Sequence, residues 1–418
     1  MSSMPFTEFY GCRISLENMS NSSLRVLHII PEYLPVTQNW IHPQVTLVPG
    51  VSGAILCNKR NKTVAATEFP LNGIPLWRRE LNLPGLALGP KPFPALRRLV
   101  NIGAKAVASH QARLWKPEII HAHFGTTGWE CLSFRKTLAA PLITSFYGFD
   151  AWQLPTTDHE WRSRYAQLFA CGDLFLVEGP AFRQRLVELG CAAEKVRIQR
   201  LGIDVERVEY RARDFTGPLK IVMIGRFAEK KGLVDGLIAC TKASAAGVDL
   251  DLTIVGDAWH RELDPEGPRI KRELLETAKS SEMSNRVHFV GQVPYESTLR
   301  ILATQDVFLC PSKHSLNGDA EGGLPVVLIE AMGMGLLCLG SRHCDIPEAI
   351  IDGTTGFLFE EGNVEQLAKL IQRISRSPAC ALPIVTAARK QVEQNFDRSY
   401  LLAILGELYR EIAARRTN

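Results

Sequence analysis

The chain has 418 residues, of which 46% are hydrophobic and 22% are charged, and its formal net charge is +4. This length predicts two domains, and so small a net charge does not predict a nucleic-acid partner. No apolar run reaches the ~18 residues that span a bilayer, residues 1–23 are polar without a secretory signal, and the ten cysteines lack metal-like spacing, which together predict a cytoplasmic protein.

Short apolar runs alternate with longer helical patterns, which predicts an α/β fold of two Rossmann-like, doubly wound domains. Ligands bind at the carboxyl ends of the strands in such folds, so we expect a cleft there. We place an extension at 1–23, domains at 24–206 and 219–397, a linker at 207–218 and a final helix at 398–418. The predicted strands are Leu24–Ile30, Ile119–Ala122, Pro141–Phe146, Leu174–Val177, Leu219–Ile224, Leu250–Val255, Val287–Val290, Val307–Cys310, Leu336–Leu339 and Gly356–Phe359.

Two segments of the first half each have two interpretations. In the first segment, a sugar acceptor could be bound by hydrogen bonds and stacking from Thr37, Gln38 and Asn39 beside Trp40. Alternatively, Thr37 could cap a helix with Trp40 in the core. The predicted helix 95–107 carries basic residues on one face and apolar residues on another. This pattern fits peripheral docking on anionic lipid, and a solvated helix face is the alternative.

His121 and His123 lie at the end of the predicted strand Ile119–Ala122. Because side chains alternate along a strand, both histidines should lie on the same face. A metal site is conceivable, but no third ligand with suitable spacing accompanies them, so we predict no metal. Tyr147 and Asp150 follow the next strand. Tyrosine can hydrogen-bond a sugar hydroxyl but is a poor proton carrier near neutral pH.

A basic turn ends the first strand of the second half, in the order Gly225-Arg226 and then Lys231-Gly232. Gly225 permits a sharp turn, and Arg226 and Lys231 emerge where the cleft should lie, as two cations suited to a diphosphate. A solvated charged turn is the alternative interpretation, and we assign Lys230 to the surface.

The stretch from Asp319 to Glu330 joins acidic residues, two glycines and a proline to an apolar run. Pro325 suits the start of a helix that Val326 continues. The glycines let backbone approach a ligand closely, and free N–H groups at a helix start favour an anion. With Glu330 about a turn further in, the segment could hold a sugar nucleotide, or it could be a glycine-rich helix start of any α/β protein.

These motifs resemble the retaining glycosyltransferases of the GT-B class, family 4 (group 1), over about residues 24–415. That family carries Gly-Arg then Lys-Gly, and Glu-Gly-Leu-Pro with a second glutamate eight positions after the first. Here the separation is 330 − 321 = 9 positions. Either Gly322 takes the first glutamate's place, or the loop bulges by one residue and Glu321 supplies the carboxylate. We expect the bulge, because loops absorb insertions.

The resemblance also implies roles for the site residues. The second domain would bind the nucleotide sugar, the first domain the acceptor, and the final helix would cross back to the first domain. Arg226 and Lys231 would hold the diphosphate, Glu330 would accept from the ribose, and Glu321 would orient the donor sugar. The loop residues Gly322, Gly323 and Leu324 would also belong to the donor-binding site.

Two positions depart from the family's pattern. Relatives carry His-Gly-aromatic-Asp where this chain has Tyr147 to Asp150, so Tyr147 and Asp150 are donor-binding candidates and His123 is the substitute catalytic candidate. Asp345 stands in the glycine's place of a Gly-Ile-Pro-Glu element. We interpret that element as a fold signature, with His343 packed or solvated rather than catalytic.

We therefore expect a retaining, metal-independent transferase that moves a hexose from a UDP- or GDP-sugar to a glycan or lipid-linked glycan acceptor in polysaccharide or lipopolysaccharide synthesis. It would be cytoplasmic, with peripheral association at the inner membrane face as a further expectation. A catalytically silent GT-B homologue that serves in binding or assembly is one alternative. A sugar-nucleotide epimerase is the other, although no motif for its acid/base pair is present.

Overall fold

In this computed structural model, the described residues are 23–33, 40–60, 112–259 and 266–415. The polar extension, the segment Thr37 to Asn39 and the predicted helix 95–107 lie outside them. Trp40 is described: it packs with Ile41 and Tyr147 in a small apolar cluster. Within the described part of the chain, no helix combines the length and the hydropathy needed to cross a membrane.

The first half of the chain forms a six-stranded sheet whose neighbouring strands are all parallel. Its strand order is β2-β1-β3-β4-β5-β6. Strands β3, β4 and β5 are buried along their whole length because helices cover both faces of such a sheet. The strands are β1 Leu24–Tyr33, β2 Val51–Arg60, β3 Ile119–His123, β4 Leu142–Ser145, β5 Leu174–Val177 and β6 Val196–Ile198. The helices are α1 Ile41–Thr46, α2 Gly125–Glu130, α3 Leu132–Leu138, α4 Leu154–Thr157, α5 Glu160–Cys171 and α6 Pro180–Glu188.

The second half forms another parallel six-stranded sheet, in the order β12-β11-β10-β7-β8-β9. Its strands are β7 Leu219–Ile224, β8 Leu250–Val255, β9 Val287–Gly291, β10 Val307–Cys310, β11 Leu337–Ser341 and β12 Phe357–Phe359. Its helices are α7 Leu233–Ala245, α8 Gly267–Ser280, α9 Tyr295–Leu302, α10 Val326–Gly333, α11 Ile346–Ala349, α12 Val364–Arg376 and α13 Ala381–Asn395. The predicted pair of doubly wound sheets is confirmed.

The last helix, α14 Arg398–Ala414, lies against the first sheet. Asp397 caps it by accepting the N–H of Tyr400 at 3.0 Å. Leu402, Leu405 and Tyr409 share an apolar cluster with residues of the first sheet such as Val26, Ile119 and Ile143. The final helix thus returns to the first domain, as the resemblance implied.

Both sheets have a point where the strand order reverses, between β1 and β3 and between β7 and β10. A crevice opens at such a point beyond the carboxyl ends of the strands, because the connecting chains leave in opposite directions there. His123 ends β3, while Arg226 follows β7 and Ser312 follows β10. The topology thereby places the candidate residues of both domains at the two reversal points.

Strands β2 and β6 were missed by sequence reasoning. Strand β2 is polar over its last three residues, and β6 has only three residues with one fully buried side chain, Val196. Such short or mixed segments carry little periodic signal. The predicted strand at Leu336–Leu339 begins and ends later, at Leu337–Ser341.

Candidate active site

The glycine loop (residues 319–325) is held to the basic turn of β7 by an ion pair. Lys231 Nζ lies 2.7 Å from Glu321 Oε1 and donates to Oε2 at 2.8 Å. Ser312 Oγ, just after β10, donates to Glu321 Oε1 at 2.7 Å. Burial alone would raise the pKa of Glu321, but the charges of Lys231 and Lys230 and these hydrogen bonds lower the pKa to about 2. Glu321 is therefore anionic at neutral pH.

The backbone of Glu321 is fixed by a histidine that follows β11. The Glu321 N–H donates to His343 Nε2 at 3.1 Å, and His343 Nδ1 lies 2.7 Å from Glu361 Oε1. Because Nε2 accepts, Nδ1 carries the proton and donates to Glu361. His343 is fully buried, so it packs as expected, but it packs directly on the candidate catalytic residue.

Lys230 is not a surface residue, and our assignment of it was wrong. Its side chain is 10% exposed, and Nζ lies 3.0 Å from Asp319 Oδ2 and donates to the carbonyl of Ala320 at 2.9 Å. The reason is local geometry: residues Glu229–Lys231 form a 3-10 turn that directs both lysines at the glycine loop. The two lysines together anchor that loop.

The extra glycine of the loop adopts a conformation that a side chain would disfavour. Gly322 has φ of +85°, in the left-handed region. A Cβ on Gly322 would lie 2.3 Å from the Cα of Gly148, which has φ of +102°. The backbones of the two domains' loops are therefore in close contact at Gly322 and Gly148. Glu321, one residue earlier, keeps its carboxylate on Lys231.

Arg226 and Glu330 have different surroundings in the second domain. The Arg226 guanidinium stacks over Trp259 at 4.5 Å from the ring centroid. Glu330 on α10 is buried, and its Oε1 accepts from the Tyr295 hydroxyl at 2.8 Å. Burial raises the pKa of Glu330 to about 7, against the lowering effect of the Tyr295 hydrogen bond. Glu330 and Glu321 thus differ in charge near neutral pH.

On the first-domain side, His123 belongs to a buried histidine cluster (His28, His121 and His123). His123 Nδ1 lies 2.7 Å from the Tyr147 hydroxyl, and His123 Nε2 lies 3.1 Å from His28 Nδ1. His121 contacts the Tyr409 hydroxyl at 2.7 Å and Ser145 Oγ at 2.8 Å. Tyr147 is the partly exposed member of this network, whereas the histidine cluster is buried.

The histidine cluster contains the third ring that sequence spacing did not reveal. Parallel pairing puts His28 of β1 opposite His121 of β3, and one nitrogen from each of the three rings lies within 4.8 Å of the others. Burial lowers the pKa of His28 to about 3 and also lowers the pKa values of His121 and His123. Neutral imidazoles are the form that binds metal ions, but most ring nitrogens here already have protein partners.

Asp150 uses both carboxylate oxygens to build its own loop. Oδ2 accepts from the Gly125 N–H at 2.7 Å, and Oδ1 accepts from the Tyr147 N–H at 3.0 Å. Burial raises the pKa of Asp150 to about 6, although these two backbone hydrogen bonds lower it. Asp150 therefore fixes the turn that presents Tyr147, and it lies behind the cleft surface.

Several contact residues had no motif to identify them. Ser312 and His343 follow strands β10 and β11, and that position at the carboxyl edge of a strand was the available signal. Glu361 follows β12 in the same way. Tyr295 and Trp259 lie further past the ends of β9 and β8 and had no such signal, since each reaches the site only through tertiary packing.

Comparison with protein families gives two adjoining matches. Residues 60–207 match the family described as Glycosyltransferase Family 4, and residues 208–394 match Glycosyl transferases group 1. Among relatives, the amylovoran biosynthesis glycosyltransferase AmsK of Erwinia amylovora is 32% identical over 311 residues, which is 74% of each chain. The putative colanic acid biosynthesis glycosyltransferase WcaL of Salmonella typhimurium is 31% identical over 317 residues, 75% of each chain.

Solved structures show the same architecture. Anabaena Alr3699/HepE in complex with UDP has a TM-score of 0.72 at 15% identity, covering 93% of this chain and all of that one. The lipopolysaccharide outer core galactosyltransferase WaaB has a TM-score of 0.63 at 15% identity, with 93% and 100% covered. At such low identity these likenesses concern the fold alone, and they confirm the predicted GT-B architecture of two parallel six-stranded sheets.

Proposed function

Because the chain belongs to the group 1 glycosyltransferases of family 4, we propose that it moves a hexose from a nucleoside diphosphate sugar, with UDP or GDP as the nucleotide, to a hydroxyl of a glycan or lipid-linked glycan. The names of AmsK and WcaL support a role in polysaccharide biosynthesis. Transfer would retain the anomeric configuration.

The observation that carries this proposal is the contact between Lys231 and Glu321 at the carboxyl edge of the second sheet. Negative charge grows on the diphosphate as its bond to the sugar breaks, and fixed cations stabilise that charge. Lys231 and Arg226 are the cations next to the glycine loop that would do so. Lys230 cannot share this task, because it is buried on Asp319.

The two glutamates would act on opposite ends of the donor. Glu321 is held anionic by Lys231 and Ser312, so it can accept hydrogen bonds from sugar hydroxyls without first losing a proton. Glu330, with one oxygen on Tyr295, would offer its other oxygen to the ribose. Both are acceptors, as the hydroxyl-rich ends of a sugar nucleotide require.

The acceptor hydroxyl would lose its proton to the departing diphosphate on the same face of the sugar. Tyr147 would hydrogen-bond the donor sugar from the first domain, with its hydroxyl oriented by His123. His123 itself is buried, and it would act by fixing Tyr147 rather than by meeting the substrate. A lipid-linked acceptor would bring the enzyme to the inner membrane face, which is part of this proposal.

A donor screen tests the proposal directly. Purified protein would be incubated with UDP- and GDP-hexoses and an oligosaccharide or lipid-linked acceptor, and nucleotide release and product anomer would be followed by NMR. We expect transfer with one nucleotide and with the donor's configuration kept. K231A should abolish transfer, whereas K242A, which removes an exposed lysine paired with Glu365, should not. Nucleotide binding without any transfer or hydrolysis would favour the silent homologue instead.

A further inference from the structure

Glu178 reaches from the first domain to the glycine loop of the second. It directly follows β5, and the backbone N–H of Leu324 is near enough to its carboxyl to lower the pKa of that carboxyl. The approach is so close that a Cβ on Gly323 would lie 2.0 Å from Glu178 Oε2. A carboxyl group of the first domain thus lies against the backbone of the glycine loop, just before α10.

Other carboxyl groups surround Glu178. Asp345 of the second domain lies beside it, because a Cβ on Gly179 would be 2.5 Å from the Asp345 carboxyl oxygens. Asp345 Oδ1 accepts from the Ala181 N–H at 2.8 Å, at the start of α6. Glu321 on the glycine loop and Asp150 after β4 also act on Glu178 with negative charge. Burial and then the charge of Asp345 raise the pKa of Glu178 to about 8, so its carboxyl is largely neutral at pH 7.

The Leu324 amide beside Glu178 is one that the proposed donor needs. The glycine loop would cradle the diphosphate with its N–H groups, and Leu324 supplies one of them. An ionised glutamate at that place would repel a diphosphate at short range, whereas a protonated one can donate a hydrogen bond to it. The carboxyl groups around Glu178 favour the protonated form, and a bound diphosphate would favour it further.

Resting on the function proposed above, we propose that Glu178 is a donor-binding residue, which in protonated form yields the Leu324 amide to the diphosphate and donates its own hydrogen bond to a phosphate oxygen. Asp345 is then a positioning residue. It holds the start of α6 from the opposite domain. Burial raises the pKa of Asp345 itself to about 7, so above that pH its negative charge helps to keep the proton on Glu178. None of the sequence motifs contains Glu178, and the residues around it come from loops far along the chain.

Titration calorimetry with UDP and GDP, from pH 6.5 to 9, tests this inference. In the wild-type protein we expect Kd to rise about tenfold between pH 7 and pH 9. One pH unit above the pKa of Glu178, about ten of eleven Glu178 carboxyls are ionised. E178Q stays neutral and can still donate, so between pH 7 and pH 9 its Kd should change no more than about twofold, the change that ionisation of Glu330 brings. E178A should bind about tenfold more weakly at pH 7, as expected for a lost hydrogen bond to a charged group.

Two further variants make the test specific. E188Q alters an exposed glutamate at the end of α6, the helix that follows Glu178, and should follow the wild-type pH profile. D345N removes a charge that raises the pKa of Glu178, so the rise in Kd should begin at lower pH. Titration of the nucleotide itself affects all variants alike.

The outcomes separate this inference from the proposed function. If UDP or GDP binds and K231A abolishes binding, but E178Q follows the wild-type profile at every pH, the role of Glu178 is wrong and the proposed function stands. If the wild-type protein binds neither nucleotide, the proposed function fails and the role of Glu178 fails with it.

Discussion

Lys230 and Lys231 are neighbours in the chain, yet they bind the glycine loop at different carboxylates and in different surroundings. Lys230 pairs with Asp319 where both side chains are nearly buried, at 10% and 9% exposure, and Lys231 pairs with Glu321 at the edge of the cleft. Removing one partner of a buried ion pair leaves an uncompensated charge in the interior. The two lysines should therefore differ in what their loss affects.

We expect K230M to lower the free energy of unfolding by about 3–5 kcal/mol, because it leaves the buried carboxylate of Asp319 without its positive partner. K231M should instead lower kcat/KM about 100-fold or more, as for loss of a group that stabilises developing charge. Urea unfolding and initial rates of transfer measure the two effects, with K242M as the exposed control. Equal loss of stability in K230M and K242M would contradict the structural role of Lys230.

The pH dependence of donor binding should have an acid limb set by Glu330. Its pKa is raised to about 7 by burial, and it accepts from ribose best when ionised, so donor affinity should increase as pH rises through 7. E330Q should lack this increase. Y295F removes a hydrogen bond that lowers the pKa of Glu330, so it should move the acid limb to higher pH. Calorimetry from pH 5.5 to 8 would show this, and an unshifted limb in Y295F would assign it to another group.

The histidine cluster predicts sensitivity to acid. The pKa of His28 is lowered to about 3, and those of its two neighbours are also lowered, whereas the unfolded chain has ordinary histidines near 6.5. The unfolded state therefore binds more protons below pH 6.5, so this contribution to stability is present above that pH and is lost as pH falls toward 3.

In H28Q we expect the free energy of unfolding to fall less steeply as the pH is lowered from 6.5 to 4.5, because this variant takes up about one proton fewer on unfolding. Urea unfolding over this range measures the slope, and H288Q, an exposed histidine, is the control. The same slope in H28Q and the wild-type protein would show that His28 is not neutral in the folded state.

Two glycines with similar backbone angles should tolerate alanine differently. Gly190 and Gly322 have φ of +98° and +85°, but an added Cβ meets nothing within 4 Å at Gly190 and lies 2.3 Å from Gly148 at Gly322. G190A should cost only the left-handed strain, about 1–2 kcal/mol. G322A should cost more and should also lower activity, because it separates the two domains' loops. Similar melting temperatures and activities for both variants would contradict this close approach.

Periodicity and composition predicted the two parallel sheets, because a strand buried on both faces leaves a local run of apolar residues. The prediction failed where that run was short or polar, at β2 and β6. The basic turn and the glycine loop were predicted for a similar reason. Their chemistry depends on glycines, cations and a helix start that lie within a few residues of one another.

Contacts between segments that are distant in the chain could not be predicted from such local sequence patterns. Only the pairing of β1 with β3 placed His28 against His123, and only the docking of the two domains brought Glu178 to Leu324. Burial then assigned the charges: Lys230 became an interior cation, and Glu321 and Glu330 acquired opposite shifts in pKa. The sequence by itself determined which elements form and which ends of the strands carry polar groups. The tertiary structure alone decided which groups meet and which of them are charged, because solvation and pairing depend on neighbours far along the chain.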